Sequence, residues 1–184
     1  MSPRVRGTLG ALVRERDVHH GGLRQALAAT ALALSFAASA CVPKAEPPPK
    51  PVYQPGKLVF AVLPAESPAF PIAARAATER LRRARVKGLG EPQISKVSLD
   101  VVQLQIECVE ASNGCYERVG KELGANQLLF AEIANGPRPE TIKVTITLFD
   151  VDGVTRRKAA SKVFATEEDV VWGVADVVEE ATKL

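Results

Sequence analysis

Three cysteines are the residues of this chain with the most clearly defined chemistry. Cys108 and Cys115 are separated by six residues, whereas Cys41 stands alone. Both histidines, His19 and His20, lie at the start of the chain, so the remainder lacks the commonest general base and the commonest metal ligand. Thiol chemistry, as a disulfide or as a covalent modification, is therefore the first to consider.

Cys41 follows a segment with the layout of a secretory signal. The uncharged run QALAATALALSFAASA is preceded by Arg24 and ends in small residues. It is shorter than the roughly 20 apolar residues of a transmembrane helix, and Pro43 interrupts it. We expect residues 1–40 to be a signal peptide. The long segment of mixed charge before the run indicates a misassigned start, with the true initiator near Val18 or Leu23.

The residues around the expected cleavage point, Ala38-Ser39-Ala40-Cys41, resemble the lipobox of bacterial lipoproteins, although that family usually has Leu at the position of Ala38. The resemblance implies that Cys41 is lipidated. Val42, where an Asp would retain a Gram-negative lipoprotein in the inner membrane, implies sorting to the periplasmic face of the outer membrane. Several acyl chains would anchor the protein without a spanning helix, since each buried methylene contributes about 0.8 kcal/mol. Ordinary cleavage leaving Cys41 as a free thiol is the alternative.

The charge of the processed chain argues against a nucleic-acid partner. Five of the 24 basic residues and two of the 21 acidic residues lie in residues 1–40, which leaves 19 of each. Phosphate binding needs a surplus of Lys and Arg on one surface. We therefore expect no nucleic acid among the partners.

Cys108 and Cys115 form the second thiol feature. In an oxidising compartment such a close pair is typical of a disulfide. The bridge would close a loop of about eight residues and contribute somewhat under the roughly 3 kcal/mol expected of a 15-residue loop. A redox-active pair is the alternative, but the spacing is not C-x-x-C and no helix clearly begins at Cys108 to lower its pKa. We expect a structural bridge.

The composition divides the processed chain into two parts. Residues 41–56 contain the anchor and a proline-rich stretch that is expected to be an extended, polyproline-like spacer. Residues 57–184 have the length and apolar content of a single domain.

Hydrophobic periodicity predicts the elements of this domain. The expected strands are residues 58–63, 93–97, 127–134, 141–149 and 154–165, and the expected helices are 69–87, 100–108, 115–123 and 167–183. Asp100 and Thr166 are the expected caps, Asn113-Gly114 is a break, and Asp150-Val-Asp-Gly153 is a turn rather than an incomplete calcium loop. The order β-α-β-α-β-β-β-α predicts an α+β fold in which helices pack against a single mixed sheet.

The strand of residues 141–149 alternates in polarity. Its isoleucine, valine and leucine residues are expected to face the core, while the opposite face, with Thr145 and Thr147, is expected to be wet.

Three stretches resemble the TolB N-terminal-type periplasmic domain of Gram-negative lipoproteins, namely KLVFAVLP, CVEASNGCYERVGKELGANQLLFAEI and TLFDVDG. The similarity is greatest from Cys115 to Ile133, where a helix ending in Leu-Gly-Ala leads into a strand, and it extends over most of residues 57–184. These motifs are structural. Because a related domain type occurs in lipoproteins that activate penicillin-binding proteins, the resemblance implies partner binding rather than catalysis.

Two features could form a partner-binding surface. Trp172 lies opposite a valine stripe on the last predicted helix and is a candidate hot spot; the alternative is that it packs under the spacer or a loop. Arg75, Arg82 and Arg85 make the first helix basic toward its end, which could meet an acidic partner or simply interact favourably with the helix dipole.

No catalytic motif or cofactor fingerprint is present, so we expect a protein that is not an enzyme and binds neither a metal nor another cofactor. A hydrolase with two carboxylates distant in sequence is the remaining catalytic alternative. The expected function is a binding or adaptor module for another cell-envelope protein, attached to the membrane through lipidated Cys41. The alternatives are a regulator of peptidoglycan synthesis that contacts peptidoglycan or its synthases, and a carrier of a small ligand or cell-wall fragment on the threonine face around Thr145 and Thr147.

Overall fold

A mixed five-stranded β-sheet carries the helices of this protein. The computed structural model describes residues 49–108 and 110–184. The elements are β1 (Phe60–Val62), α1 (Pro71–Arg83), β2 (Gln93–Ile94), α2 (Leu99–Gln105), α3 (Asn113–Glu122), β3 (Gln127–Asn135), β4 (Ile142–Asp150), β5 (Thr155–Phe164) and α4 (Glu167–Thr182). The predicted α+β class, single mixed sheet and element order are confirmed, with α2 and α3 as two pieces of the second helical segment.

The strand order β2-β1-β3-β4-β5 combines two kinds of connection. β1 is parallel to both β2 and β3, and the chain reaches these neighbours through helical crossovers. β3, β4 and β5 form an antiparallel meander. As a result β1 and β5 run in the same direction, and the helix that follows each of them, α1 or α4, returns over the same face of the sheet.

The face under α1 and α4 contains the larger core. Ile142, Val144, Ile146 and Leu148 of β4 all point into it, as the alternation of that strand predicts. The valine stripe of α4 and the alanine stripe of α1 cover them. The small side chains of α1 let its backbone lie close to the sheet.

The opposite face is covered only in part. The ring of Tyr116 on α3 lies 4.8 Å from that of Phe130 and 5.5 Å from that of Phe149, between centroids. Thr147 is buried and Thr145 half-buried, so the prediction of a fully wet threonine face is wrong. The reason is that the α2–α3 layer covers β1 and β3 and extends as far as the start of β5, where the Arg156 guanidinium lies over the Tyr116 ring.

One of the two predicted helix caps is wrong, and the predicted break is part of a helix. Ser98, not Asp100, caps α2, and its hydroxyl accepts a hydrogen bond from the Val101 amide. Ser112 caps α3, so Asn113-Gly114 forms the first turn of this helix instead of a break. A serine with extended backbone just before a helix satisfies an otherwise unpaired amide, which is why it takes this position. Thr166 caps α4 as predicted, within a capping box that is completed by Asp169.

The end of the proline-rich stretch lies against the domain. The Tyr53 hydroxyl donates a hydrogen bond to Asp152, and the Asn126 side chain donates to the Gln54 carbonyl. Pro51 packs against Gly124. Glycine is required at this position for two reasons: its φ is +65°, and a Cβ there would lie only 2.9 Å from the Pro51 Cβ. These contacts dock residues 50–56, which we call the strap, on the domain.

The strap is held by a charge-assisted hydrogen bond. Accepting the Tyr53 hydroxyl lowers the pKa of the Asp152 carboxyl, and the same bond raises the pKa of Tyr53 to about 12. A lowered carboxyl pKa contributes stability that is lost as the pH falls, and a raised phenol pKa contributes stability that is lost as the pH rises. The hydrogen bond therefore makes its full contribution to the stability of the folded protein between about pH 4 and pH 10.

α1 and α4 are joined at their first turns. The N-cap of α1, Phe70, has no side chain that could accept a hydrogen bond from the helix. Instead Glu167, the first residue of α4, accepts hydrogen bonds from the amides of Ile72 and Ala73 at 2.7 and 2.8 Å. Its carboxylate satisfies two unpaired amides and lies at the positive end of the α1 dipole. The two helices thus start level and run in parallel.

Replacing Glu167 tests this joint. We expect Glu167→Ala to lower the free energy of unfolding by about 1 kcal/mol, since it removes a capping carboxylate. Urea denaturation followed by circular dichroism measures the change. Glu168→Ala is the matched control, because it removes a carboxylate from the same turn of α4 without a hydrogen bond to α1. Equal effects of the two substitutions would contradict the capping role.

Candidate protein-binding face

The outer surface of the α1–α4 layer carries Trp172. The valines at positions 170, 174, 177 and 178 turn one side of α4 into the core, and Trp172 lies on the other side. Its side chain is 77% exposed. Within residues 49–108 and 110–184, neither the strap nor a loop packs over Trp172, because a packed indole would not be so accessible. The earlier part of the spacer, also considered as a cover for Trp172, lies outside the described residues.

An apolar groove lies between the two helices, and Val171, the residue before Trp172, lines it. Ile72 and Ala76 of α1 and Val171 of α4 contribute apolar surface to a cavity of about 290 Å³. Ile72 is itself 54% exposed, so its side chain adds apolar surface at the groove. A second cavity of about 270 Å³ continues along the groove toward the ends of the helices.

The predicted arginines occupy different places around the groove. Arg75 lines it next to Ile72, and Arg85 lines its far end. Arg82 lines neither cavity and lies 3.7 Å from Glu79, measured from Nη1 to Oε1. The structure therefore brings Arg75 together with the Trp172 turn, while Arg82 remains apart from the groove.

Sequence reasoning missed Ile72 and Arg80 as groove residues, and it placed Val171 in the core stripe of α4, whereas Val171 is half-buried and lines the groove. Positions 72, 76 and 80 recur every fourth residue on α1, separately from the buried alanine stripe. That second stripe was a usable signal. Arg75 and Arg80 have no carboxylate within 4.0 Å among the described residues, so their charges face solvent or a partner.

The cysteine pair lies away from this face. Cys108 and Cys115 are bonded, with Cα atoms 5.7 Å apart, and join the chain after α2 to the first turn of α3. Cys115, rather than Cys108, lies at a helix start. Only 4% of Cys115 is exposed, however, and the Gln103 side-chain amide lies 3.3 Å from its sulphur. Burial supports the structural role over the redox role.

A small polar cavity of about 160 Å³ lies beyond the end of β1, between the start of α2 and the middle of β3. Glu66, Asp100 and Glu132 line it, and burial, followed by the charge of Glu66, raises the pKa of the Asp100 carboxyl. Glu132 accepts a hydrogen bond from the Tyr116 hydroxyl at 2.9 Å. These carboxylates do not form a cluster that could hold a metal ion, and no such cluster of His, Cys, Asp or Glu occurs elsewhere in residues 49–108 and 110–184.

The predicted lipidation site, Cys41, lies outside the described residues, as does the predicted signal peptide. In the part of the chain that the structure describes, no helix has both the length and the apolar character needed to cross a bilayer. Neither the protein-family models nor the curated proteins searched gave a match to this chain.

Removing the bridge distinguishes a structural from a redox disulfide. We expect Cys108→Ser with Cys115→Ser to lower the free energy of unfolding by about 2 kcal/mol, because a small loop is no longer closed in the unfolded chain. Urea denaturation measures the change. Rapid reduction of the folded wild-type protein by a dithiol, without loss of stability in the serine variant, would contradict the structural role.

Proposed function

We propose that this protein is a non-catalytic outer-membrane lipoprotein whose periplasmic domain binds another cell-envelope protein. The observation that carries the proposal is the exposed Trp172 beside the groove of Ile72, Ala76 and Val171. The same face carries arginines, so it combines the residue types that are enriched in protein interfaces.

The composition of the face favours a protein partner. Trp and Arg dominate the energetics of protein interfaces when they become desolvated, and Trp172 and Arg75 are both available for this. The exposed Trp172 and the exposed Ile72 on the same helical layer leave apolar surface in water, which a partner would cover at a gain of about 25 cal/mol per Å². Small polar ligands would gain little from such a surface.

The anchor would place this face close to the membrane. Residues 41–49 precede the strap, and nine residues at about 3 Å each reach at most about 30 Å. The strap would also determine where the tether leaves the domain, because its residues are attached to the domain surface. Pro51 packs against Gly124, Tyr53 is hydrogen-bonded to Asp152, and Gln54 is hydrogen-bonded to Asn126. The proposal therefore requires a partner that lies within a few tens of ångströms of the lipid surface.

The anchor is tested by the intact mass of the membrane-extracted protein. We expect the mass of residues 41–184 plus acyl chains, with a gain of one hydrogen on each bridged sulphur upon reduction. A Cys41→Ser variant is expected to lose the acyl mass and the membrane fraction. A wild-type mass without lipid would overturn the anchored form of the proposal.

The binding face is tested by a photocrosslinking amino acid at position 172 in intact cells of the native host. We expect crosslinks to a specific envelope protein, which are lost when Arg75→Glu is added. Position 104 on α2 is the matched control, because Leu104 is also exposed, at 66%, but lies on the opposite layer. The same crosslinked proteins at both positions, or none at position 172, would contradict the proposal.

A further inference from the structure

The charges of α1 and α4 are segregated by helix. α1 contains four arginines and one acidic residue, whereas α4 contains six acidic residues and neither lysine nor arginine. The α1 residues are Arg75, Arg80, Arg82, Arg83 and Glu79, and those of α4 are Glu167, Glu168, Asp169, Asp176, Glu179 and Glu180.

This segregation reaches the outer surface. Ile72 and Arg75 are exposed on α1, and Glu168, Trp172 and Glu179 follow one another along the exposed side of α4. Because Glu167 holds the first turns of the two helices level, the basic row and the acidic row run side by side in the same direction. The face thus has a net positive half, in which Glu79 pairs with Arg82 and Arg83, and a net negative half, in which Glu179 pairs with Lys183, with an apolar groove between them.

Such a face is complementary to itself. A twofold axis parallel to the helices places α1 of each copy over α4 of the other, so that basic rows meet acidic rows twice. We propose that a second copy of this chain docks on the α1–α4 face. The inference rests on the proposed function because it uses the same protein-binding face. A second copy of the chain occupies this face when no other envelope protein is bound there.

Trp172 has a defined place in this arrangement. It lies five residues after Glu167, and its neighbour Val171 is at the level of Ile72, Arg75 and Ala76. In the dimer each Trp172 therefore lies against the turn of the other α1 that carries Ile72 and Arg75. That contact combines apolar burial with a guanidinium over an indole.

The other simple twofold arrangement is disfavoured. An axis perpendicular to the helices would place α1 on α1 and α4 on α4, which brings the arginines of two copies together and the carboxylates of two copies together. Charge therefore selects the parallel arrangement.

The area of the face limits the affinity. α4 has 16 residues, so it is about 24 Å long, and two helices side by side are about 20 Å wide. Such a face buries on the order of 1,000 Å² over both copies, which is near the lower limit for a specific complex. We expect dissociation in the micromolar range in solution, with the anchors raising the effective concentration on a membrane.

Charge exchange tests the dimer. The chain carrying Cys41→Ser, purified without lipid, is studied by sedimentation velocity up to about 200 µM. We expect a dimer whose dissociation constant rises at least tenfold with Arg75→Glu alone and with Glu168→Lys alone. An equimolar mixture of the two variants, and the double variant, should each restore it, because both then contain only opposite-charge pairs across the interface.

Two controls accompany this experiment. Lys143→Glu makes the same charge change at an exposed position on the opposite face of the sheet and should leave the dimer intact. Trp172 is the only tryptophan, so its emission should shift to the blue as the wild-type dimer forms and remain unchanged in the separate charge variants.

The outcomes separate this inference from the proposed function. A monomer at all concentrations, or a mixture of charge variants that remains monomeric, overturns the dimer, while crosslinks from position 172 to another envelope protein can still support the binding face. Crosslinks from position 172 to this chain alone would support the dimer and contradict the proposed envelope partner.

Discussion

The carboxylate of Glu167 on the first turn of α1 is the contact on which the outer surface of this protein depends. It joins two helices that are separated by most of the domain in sequence, and it sets their relative height. The order of residues along the groove follows from that height, including the proximity of Val171 to Ile72. A polar contact at one end of the layer thereby determines which side chains form its exposed face.

The sheet supports this face unevenly. Its α1–α4 side is a continuous core of small and branched residues, and its other side is covered by the short helices α2 and α3. A helix of seven or ten residues is marginal by itself, and α2 and α3 depend on serine caps, the Cys108–Cys115 bridge and the buried Tyr116 ring. The α1–α4 side is therefore the more rigid platform for binding.

The strap connects the domain to whatever precedes it. Asn126 is almost completely buried, and its side-chain amide donates hydrogen bonds to both the Gln54 carbonyl and the Asp152 carboxylate. The ring of Tyr53 packs against the smaller core while its hydroxyl remains on Asp152. Proline-rich composition disfavours a core of its own, but it does not prevent docking onto a preformed one, because the prolines have little entropy to lose.

The sequence by itself determined the features that depend on neighbours along the chain. The alternation of β4, the Thr166 cap, the valine stripe of α4 with Trp172 opposite, and the order of elements were all predictable, because each is set by residues within a few positions. Only the tertiary structure decided the rest. Four features join residues that are distant in sequence, namely the cap of α1 by Glu167, the burial of Thr147, the docking of the strap and the position of Arg75 near the Trp172 turn. Periodicity and propensity do not encode which distant surfaces pack together, so the sequence alone could not predict them.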